Sequence, residues 1–230
     1  MFLIKNILLK RSLAEFVGTF TLVFAGCGSL MVAERFPGAL SSAVIPVIFG
    51  LAVAVMIYAV GHISGAHFNP AVTLAFAAAR HFPFEEVLAY WLSQLAGAFS
   101  AIAALGMMLP AGKIYGATIP SVSLSQALSW EIILTFFLMF VIVAVATDTK
   151  AVGTMAGAAI GGTVMLGAWI GGPVTGASMN PARSLAPALF EGRMDVVWIY
   201  FVGPCIGAVL AALFYEAIRL APANAKNKRK

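Results

Sequence analysis

The chain has 230 residues, of which 61% are hydrophobic and 10% are charged, and its formal net charge is +5. Soluble domains carry roughly 25% charged residues, so the composition excludes an ordinary soluble protein and predicts an integral membrane protein. Much of the positive charge lies near the chain ends. The tail 224–230 carries four basic residues, which is typical of the flank of a membrane span rather than of a nucleic-acid site.

In chain order, the apolar stretches predict six transmembrane helices, since a span requires about 20 apolar residues. They lie near residues 12–33, 39–61, 86–109, 125–147, 151–172 and 196–218. The N-terminal segment has no cleavage site and continues into the first span, so we do not interpret it as a removed signal peptide. The connections are short, and the longest loop covers about residues 110–124. The predicted fold class is all-α, with residues 1–230 forming one transmembrane domain.

The distribution of Lys and Arg predicts the orientation, because cytoplasmic loops carry an excess of both residues. Ten of them fall on one side of the six spans and four on the other. The ten are Lys5, Lys10, Arg11, Arg80, Lys150, Arg219, Lys226, Lys228, Arg229 and Lys230, and the four are Arg35, Lys113, Arg183 and Arg193. We therefore expect both termini in the cytoplasm of a protein that spans the cell membrane several times.

The two halves of the chain repeat one another. The stretch SGAHFNPAVT at 64–73 returns 111 residues later as TGASMNPARS at 175–184, and AEFVGTFTLVF at 14–24 matches WEIILTFFLMF at 130–140. Repeat one covers about residues 12–109 and repeat two about 125–219, with three spans in each. An odd number of spans turns the second copy upside down, an inverted repeat whose sites lie near the membrane midplane.

Each Asn-Pro-Ala predicts the start of a helix, because Asn is a favoured N-cap and Pro is favoured at the first helical position. The stretches 70–80 and 181–191 then give half-helices of about 16 Å, roughly half of the hydrocarbon core, although Pro187 could shorten the second. The backbone before each Asn must line a cavity or be buried, with Gly65 and Gly176 allowing unusual dihedral angles. Asn69 and Asn180 would offer amide donors at the centre. Two positive half-helix ends at one point repel cations and protons, which predicts a pore for neutral hydrogen-bonding molecules.

The doubled motif, Asn69-Pro70-Ala71 and Asn180-Pro181-Ala182, with Arg183 three residues after the second Asn, resembles the aquaporin, or major intrinsic protein, family. GHISGAHFNPAVTLAF, ATDTKAVG, GPVTGASMNPARSL and WIYFVGP are most similar to its nodulin-like intrinsic protein branch. The resemblance implies six spans plus two re-entrant half-helices, a pore within each protomer and a homotetramer. In that branch the solutes are glycerol, urea and undissociated metalloid acids, in addition to water.

The resemblance also implies a selectivity filter formed by Phe49, Ala168, Ala177 and Arg183. In water-selective relatives the position of Ala168 is usually His, so a methyl group here implies a wider opening that admits solutes of glycerol or urea size. At two positions the sequence differs from the residues usual in related channels, and both differences bear on which solute passes. Phe49 stands where many of the nodulin-like branch carry Trp or a small residue, and Ser184 stands where typical glycerol facilitators carry Asp.

Three polar residues are expected to support the loops. Glu15 and Glu131 occupy matching places in the repeats, and we expect each to accept hydrogen bonds from the backbone of a re-entrant loop. Acids inside spans also suit proton coupling, so a proton-coupled secondary transporter stays an alternative. His62 is expected to hold the first loop or to face the cytoplasmic mouth.

The remaining alternatives differ in class. A water-selective channel and a junction protein with a closed pore stay possible beside the solute channel. Cys27 and Cys205 lie in apolar stretches and are expected to act as small hydrophobic residues. No Ser-His-Asp set, metal-ligand spacing or phosphate loop can be assembled, so we expect no enzyme activity and no cofactor. The expected partners are small neutral solutes, water and the lipid bilayer, without nucleic acid.

Overall fold

The computed structural model describes residues 2–148 and 151–220, with side chains from Asn6 onward. Its eight α-helices are α1 (Phe2–Arg35), α2 (Val44–Ser64), α3 (Pro70–Ala78), α4 (Val87–Met108), α5 (Leu124–Thr147), α6 (Ala156–Thr175), α7 (Pro181–Glu191) and α8 (Ile199–Ile218). Single 3-10 turns, Phe84–Glu86 and Gly153–Met155, precede α4 and α6. Lys150 and the basic tail, both used above to predict the orientation, lie outside the described residues.

Six helices are long and apolar enough to cross a membrane, and α3 and α7 are the two half-helices. The predicted all-α membrane fold is therefore confirmed. We call the side where α1 begins and α8 ends the terminal side, and the other the far side. α7 covers the predicted range in full, although Pro187 lies inside it.

Several predicted helix ends were wrong by a few residues. α2 begins at Val44 rather than at 39, because residues 36–43 form turns that include Gly38 at φ +90°. It continues to Ser64 and ends where Gly65 adopts the left-handed conformation, a common helix C-terminus. α3 ends at Ala78 rather than at residue 80, and Arg80 is itself left-handed.

The helices pair in the same way in both repeats. α1 packs on α2 and α4, and α5 packs correspondingly on α6 and α8. Each half-helix packs on the last helix of the other repeat, α3 on α8 and α7 on α4, while α2 and α6 meet between the repeats. This interlocking brings the N-termini of both half-helices to the middle of the bundle.

Glycines allow the closest helix crossings. A Cβ at Gly97 of α4 would overlap the backbone of α1 at Phe16, and a Cβ at Gly207 of α8 would overlap the backbone of α5 at Ile132. Without hydrophobic force between helices in lipid, such small residues let backbones approach and pack.

We predict that Gly97→Val lowers the thermal stability of the protein in detergent, because the side chain has no room against α1. Overpacking of this kind costs about 1–3 kcal/mol. The matched control is Gly162→Val on α6, where a Cβ would meet no atom within 4 Å. Equal melting temperatures for the two variants would contradict the close crossing at Gly97.

Candidate channel site

The two half-helices begin with capped N-termini. Asn69 Oδ1 accepts a hydrogen bond from the Ala71 N–H at 2.9 Å. Asn180 Oδ1 accepts from the N–H groups of Ala182 at 3.0 Å and Arg183 at 3.3 Å. Both Asn residues are extended, with φ −156°, and a Pro follows each of them. The side-chain carbonyl of each Asn is thus used by its own helix, which leaves the amide N–H₂ group to point elsewhere.

The two Asn amides link the loops to each other. Asn69 Nδ2 donates to the Met179 carbonyl at 2.6 Å, and Asn180 Nδ2 donates to the Phe68 carbonyl at 2.8 Å. An amide nitrogen has two N–H donors, so one on each Asn is free for another acceptor. Both residues also line the central cavity. The pair can therefore offer two hydrogen-bond donors at the point where the half-helices meet.

The loops before each Asn carry repeated left-handed residues. Gly65 and Gly176 have φ +88° and +82°, and the non-glycine residues Ala66, Phe68, Ala177 and Met179 have φ between +44° and +52°. This backbone leaves carbonyl groups without partners among the described residues, those of Gly65, Ala66, His67, Gly176, Ala177 and Ser178. All six of these residues line the cavity, so the loops supply acceptors along it.

Glu15 is fully buried and accepts four hydrogen bonds from the first loop and its neighbours. Its Oε1 accepts from Ser64 Oγ at 2.7 Å and from the His67 N–H at 2.9 Å. Its Oε2 accepts from the Phe68 N–H at 2.7 Å and from Gln94 Nε2 at 2.8 Å. Two backbone donors of the re-entrant loop thus end on one carboxylate.

Glu131 occupies the matching place in the second repeat and is also fully buried. It accepts from Thr175 Oγ1 at 2.7 Å, from the Ser178 N–H at 2.9 Å and from the Met179 N–H at 2.9 Å. The bonds support the loop-anchor role expected of both acids. Ser64 and Thr175, which the sequence reasoning missed as loop supports, are the hydroxyl residues that open the two repeated motifs.

A tyrosine hydroxyl binds the end of the helix that precedes each re-entrant loop. Tyr90 donates its hydroxyl to the Ser64 carbonyl at 2.7 Å, and Tyr200 donates to the Thr175 carbonyl at 2.7 Å. These carbonyls are the last of α2 and α6 and have no partner inside their own helices. Both tyrosines are completely buried. The last carbonyl of each long helix therefore has a hydrogen-bond donor inside the protein.

Of the two roles expected of His62, holding the first loop or facing the mouth of the channel, its surroundings support the second. Its side chain is exposed, lines the cavity and forms no hydrogen bond with the described residues, because its position on α2 turns it towards the channel. His67 is the buried histidine of this loop. Its Nδ1 lies 3.1 Å from Thr73 Oγ1, and its ring stacks on Phe76 with 4.8 Å between centroids.

A cavity of about 1040 Å³ lies at the centre of the bundle, and residues from both sides contribute to its lining. Its lining runs from Ser42 on the far side, past Arg183, Asn180 and Asn69, to Thr154 on the terminal side. Leu138, Ile142, Ile160 and Val164 are also part of the wall. The channel thus combines apolar walls with a line of polar groups from the two loops.

The four expected filter residues all line this cavity: Phe49, Ala168, Ala177 and Arg183. The Arg183 guanidinium lies over the Phe49 ring, 5.1 Å from its centroid, and Nη1 donates to the Gly116 carbonyl at 2.7 Å. Ala168 and Ala177 add only methyl groups. The group therefore joins a cation, an aromatic face and two small residues.

The loop between α4 and α5 positions Arg183, a feature that the sequence reasoning missed. Glu191 Oε1 accepts from the N–H groups of Tyr115 at 2.6 Å and Ala117 at 2.9 Å, on both sides of Gly116. Glu191 is the last residue of α7, the half-helix whose first turn contains Arg183. No motif or periodicity in the sequence pairs it with a loop some 75 residues away.

We predict that Glu15→Leu destabilises the protein or abolishes its flux, because unpaired buried donors cost about 1–3 kcal/mol each. Glu15→Gln keeps one acceptor oxygen and should fold with reduced stability, and Glu131 should behave alike. The measurements are thermal melts in detergent and water flux in proteoliposomes. Glu85→Leu, at an exposed acid, is the control. A stable Glu15→Leu variant with unchanged flux would remove the anchor role.

Comparison with known proteins gives one family. The family model described as Major intrinsic protein matches residues 3–215. Nodulin-26 from Glycine max and Aquaporin NIP1-1 from Oryza sativa subsp. japonica are each 49% identical over 212 residues, which is 92% of this chain and 78% and 75% of the relatives. The X-ray structure of the aquaglyceroporin from Plasmodium falciparum is similar with TM-score 0.83 and 26% identity, covering 92% of this chain and 96% of that one. The chain therefore belongs to the major intrinsic protein, or aquaporin, family of passive multi-pass membrane channels for water and small solutes, which are not enzymes.

Proposed function

We propose that this channel conducts small neutral solutes of glycerol and urea size, undissociated metalloid acids and water, and that it excludes ions and protons. The observation that carries the proposal is the small side chain of Ala168 in the wall of the candidate filter. A bulky polar residue there would narrow the opening, whereas a methyl group leaves space beside Arg183 and Phe49.

The chemistry of the wall suits polyols and other small neutral molecules that form several hydrogen bonds. A polyol such as glycerol has a hydrocarbon side and several hydroxyl groups. The Phe49 ring and the two Ala methyl groups can contact the apolar side, while the Arg183 guanidinium can donate hydrogen bonds. Further along, the free loop carbonyls can accept hydrogen bonds and replace water of hydration.

The relatives support this solute range by their names. The similar Plasmodium falciparum structure is described as an aquaglyceroporin. Nodulin-26 and the NIP aquaporins belong to the nodulin-like branch that the motifs indicated. A strictly water-selective channel is the alternative within the same family, and glycerol permeability separates the two.

Exclusion of cations follows from three positive groups along one path. The N-termini of α3 and α7 both point at the centre, each equivalent to roughly half a positive charge. Arg183 adds a full charge in the first turn of α7, at the end of the helix dipole where a cation is least favoured. A cation or a proton would be repelled at two places, at Arg183 and at the centre where the two helix N-termini meet, whereas a neutral solute would not.

The buried acids do not favour a proton-coupled transporter. The oxygens of Glu15 and Glu131 accept hydrogen bonds from loop donors, and neither residue lines the cavity. A coupling carboxylate needs a path to the solute and a change of protonation during transport. Release of the loop donors in each cycle would disturb the meeting point of the half-helices.

The assembly and location form part of the proposal. We infer a homotetramer in the cell membrane, with one pore in each protomer and with both termini in the cytoplasm. The excess of Lys and Arg on the terminal side supports this orientation. Large apolar side chains exposed on the outer helix faces, such as Leu51, Phe137 and Leu210, suit contact with lipid or neighbouring protomers.

We predict that the wild-type protein passes glycerol and that Ala168→His lowers glycerol permeability far more than water permeability, because the larger side chain fills the filter. Stopped-flow light scattering in proteoliposomes measures both rates. Ala168→Leu is the companion variant, since it adds bulk without polarity and should also lower glycerol flux. If wild-type vesicles re-swell in glycerol no faster than empty liposomes, the wide-filter proposal is wrong.

We also predict that Arg183→Val lets protons or small cations leak while the flux of neutral solutes persists or rises, because the filter loses its charge. A pH-sensitive dye inside the vesicles reports the proton leak. Arg183→Lys retains the charge without the planar guanidinium and should leak less than the Val variant. Unchanged proton and solute fluxes in Arg183→Val would place Arg183 outside the conduction path.

A further inference from the structure

A notch in α1 faces the candidate filter. Leu22, Gly26 and Leu30 are four residues apart and therefore share one face of the helix. Leu22 and Leu30 line the cavity, and between them Gly26 has no side chain. The ring of Phe49 lies in the resulting space, since a Cβ built on Gly26 would overlap the ring atoms Cδ1, Cε1 and Cζ of Phe49.

The helix that carries Phe49 has no freedom to retreat from this contact. Its next residue, Gly50, packs against the backbone of Gly161 on α6, where an added Cβ would lie 2.5 Å from the Gly161 carbonyl oxygen. The reverse also holds, because a Cβ on Gly161 would lie 2.5 Å from the Gly50 carbonyl oxygen. The backbones of α2 and α6 are thus in direct contact at Gly50, the residue after Phe49, so α2 cannot move towards α6.

A side chain at position 26 would therefore move the Phe49 ring rather than the helix. The Arg183 guanidinium lies over the face of the ring, and the open space beside the ring is the cavity that Phe49 lines. Rotation of the ring away from α1 would place it in the path of the solute. Because Gly26 has no side chain, the Phe49 ring occupies the space beside α1 instead of this path.

We propose that Gly26 is a specificity-determining residue of this channel: the notch withdraws the Phe49 ring from the filter and so sets the largest solute that passes. This inference rests on the proposed function for the filter itself. Gly26 is not one of the four filter residues and belongs to neither Asn-Pro-Ala motif. It acts through Phe49 rather than by contact with the solute.

The first test is Gly26→Ala, with glycerol and water permeabilities measured in proteoliposomes of equal protein content. We expect glycerol permeability to fall at least about tenfold, which corresponds to about 1.4 kcal/mol on the barrier, and water permeability to fall by a smaller factor. Gly28→Ala is the control on the same helix. There the nearest atoms to an added Cβ belong to the flexible end of Leu105, with Cδ2 at 3.0 Å, and the ratio of the two permeabilities should stay at the wild-type value.

The second test is a double-mutant cycle with Phe49→Ala. If Gly26 acts through the ring, Gly26→Ala changes neither permeability in the Phe49→Ala background. The proposal is overturned if Gly26→Ala lowers the permeabilities by the same factor with Phe49 and with Ala at position 49. It is also overturned if Gly26→Ala and Gly28→Ala both lower water and glycerol permeability by the same factor, because either result would show a role in helix packing only. Should Gly26→Ala fail to assemble, the double variant decides: assembly with the fluxes of Phe49→Ala supports the proposal, and failure to assemble overturns it.

The two proposals fail in different ways. If the wild-type protein passes water but no glycerol, the proposed solute range is wrong. The Gly26 inference is then decided by water permeability alone, which must fall in Gly26→Ala and match Phe49→Ala in the double variant. If the wild type passes glycerol and Gly26→Ala keeps the wild-type ratio, only the Gly26 inference is wrong.

Discussion

The re-entrant loops depend on two buried carboxylates. Backbone N–H groups at membrane depth have no water to bind, so each must find an acceptor inside the protein. Glu15 binds the N–H groups of His67 and Phe68, and Glu131 binds those of the matching residues in the second repeat. The carbonyls of Phe68 and Met179 then receive the Asn amides of the opposite loops. The point where the half-helices meet is thus held by acids that lie outside the channel.

The symmetry of this centre contrasts with the asymmetry of the filter. The Asn caps, the Glu anchors and the Tyr contacts occur once in each repeat. Arg183 occurs only in the second repeat, where Val72 is its counterpart in the first. The loop between α4 and α5 binds this Arg through the Gly116 carbonyl and is itself bound by Glu191. The symmetric frame therefore supports one charged side chain on the cavity wall, Arg183, which lies on the far side of the Asn pair.

Much of the fold could be predicted because its signals are local. Apolar length identified the six spans, and the Asn-Pro pairs identified the starts of both half-helices, since capping involves neighbouring residues. The inverted repeat then placed Asn69 opposite Asn180 and gave Glu15 and Glu131 matching roles. Helix ends were less certain, as at Val44 and Ala78, because turn residues and left-handed backbone decide them.

The sequence by itself thus determined the number of spans, the two half-helices, the family and the residues of the repeated motifs. Only the tertiary structure decided which histidine supports the first loop, because His62 and His67 differ in the direction they face rather than in their local pattern. The same holds for Gly26 beneath Phe49 and for Glu191 beside Gly116. Each of these contacts joins segments that are distant in the chain, and hydrophobic pattern and capping rules carry no information about which distant segments pack together.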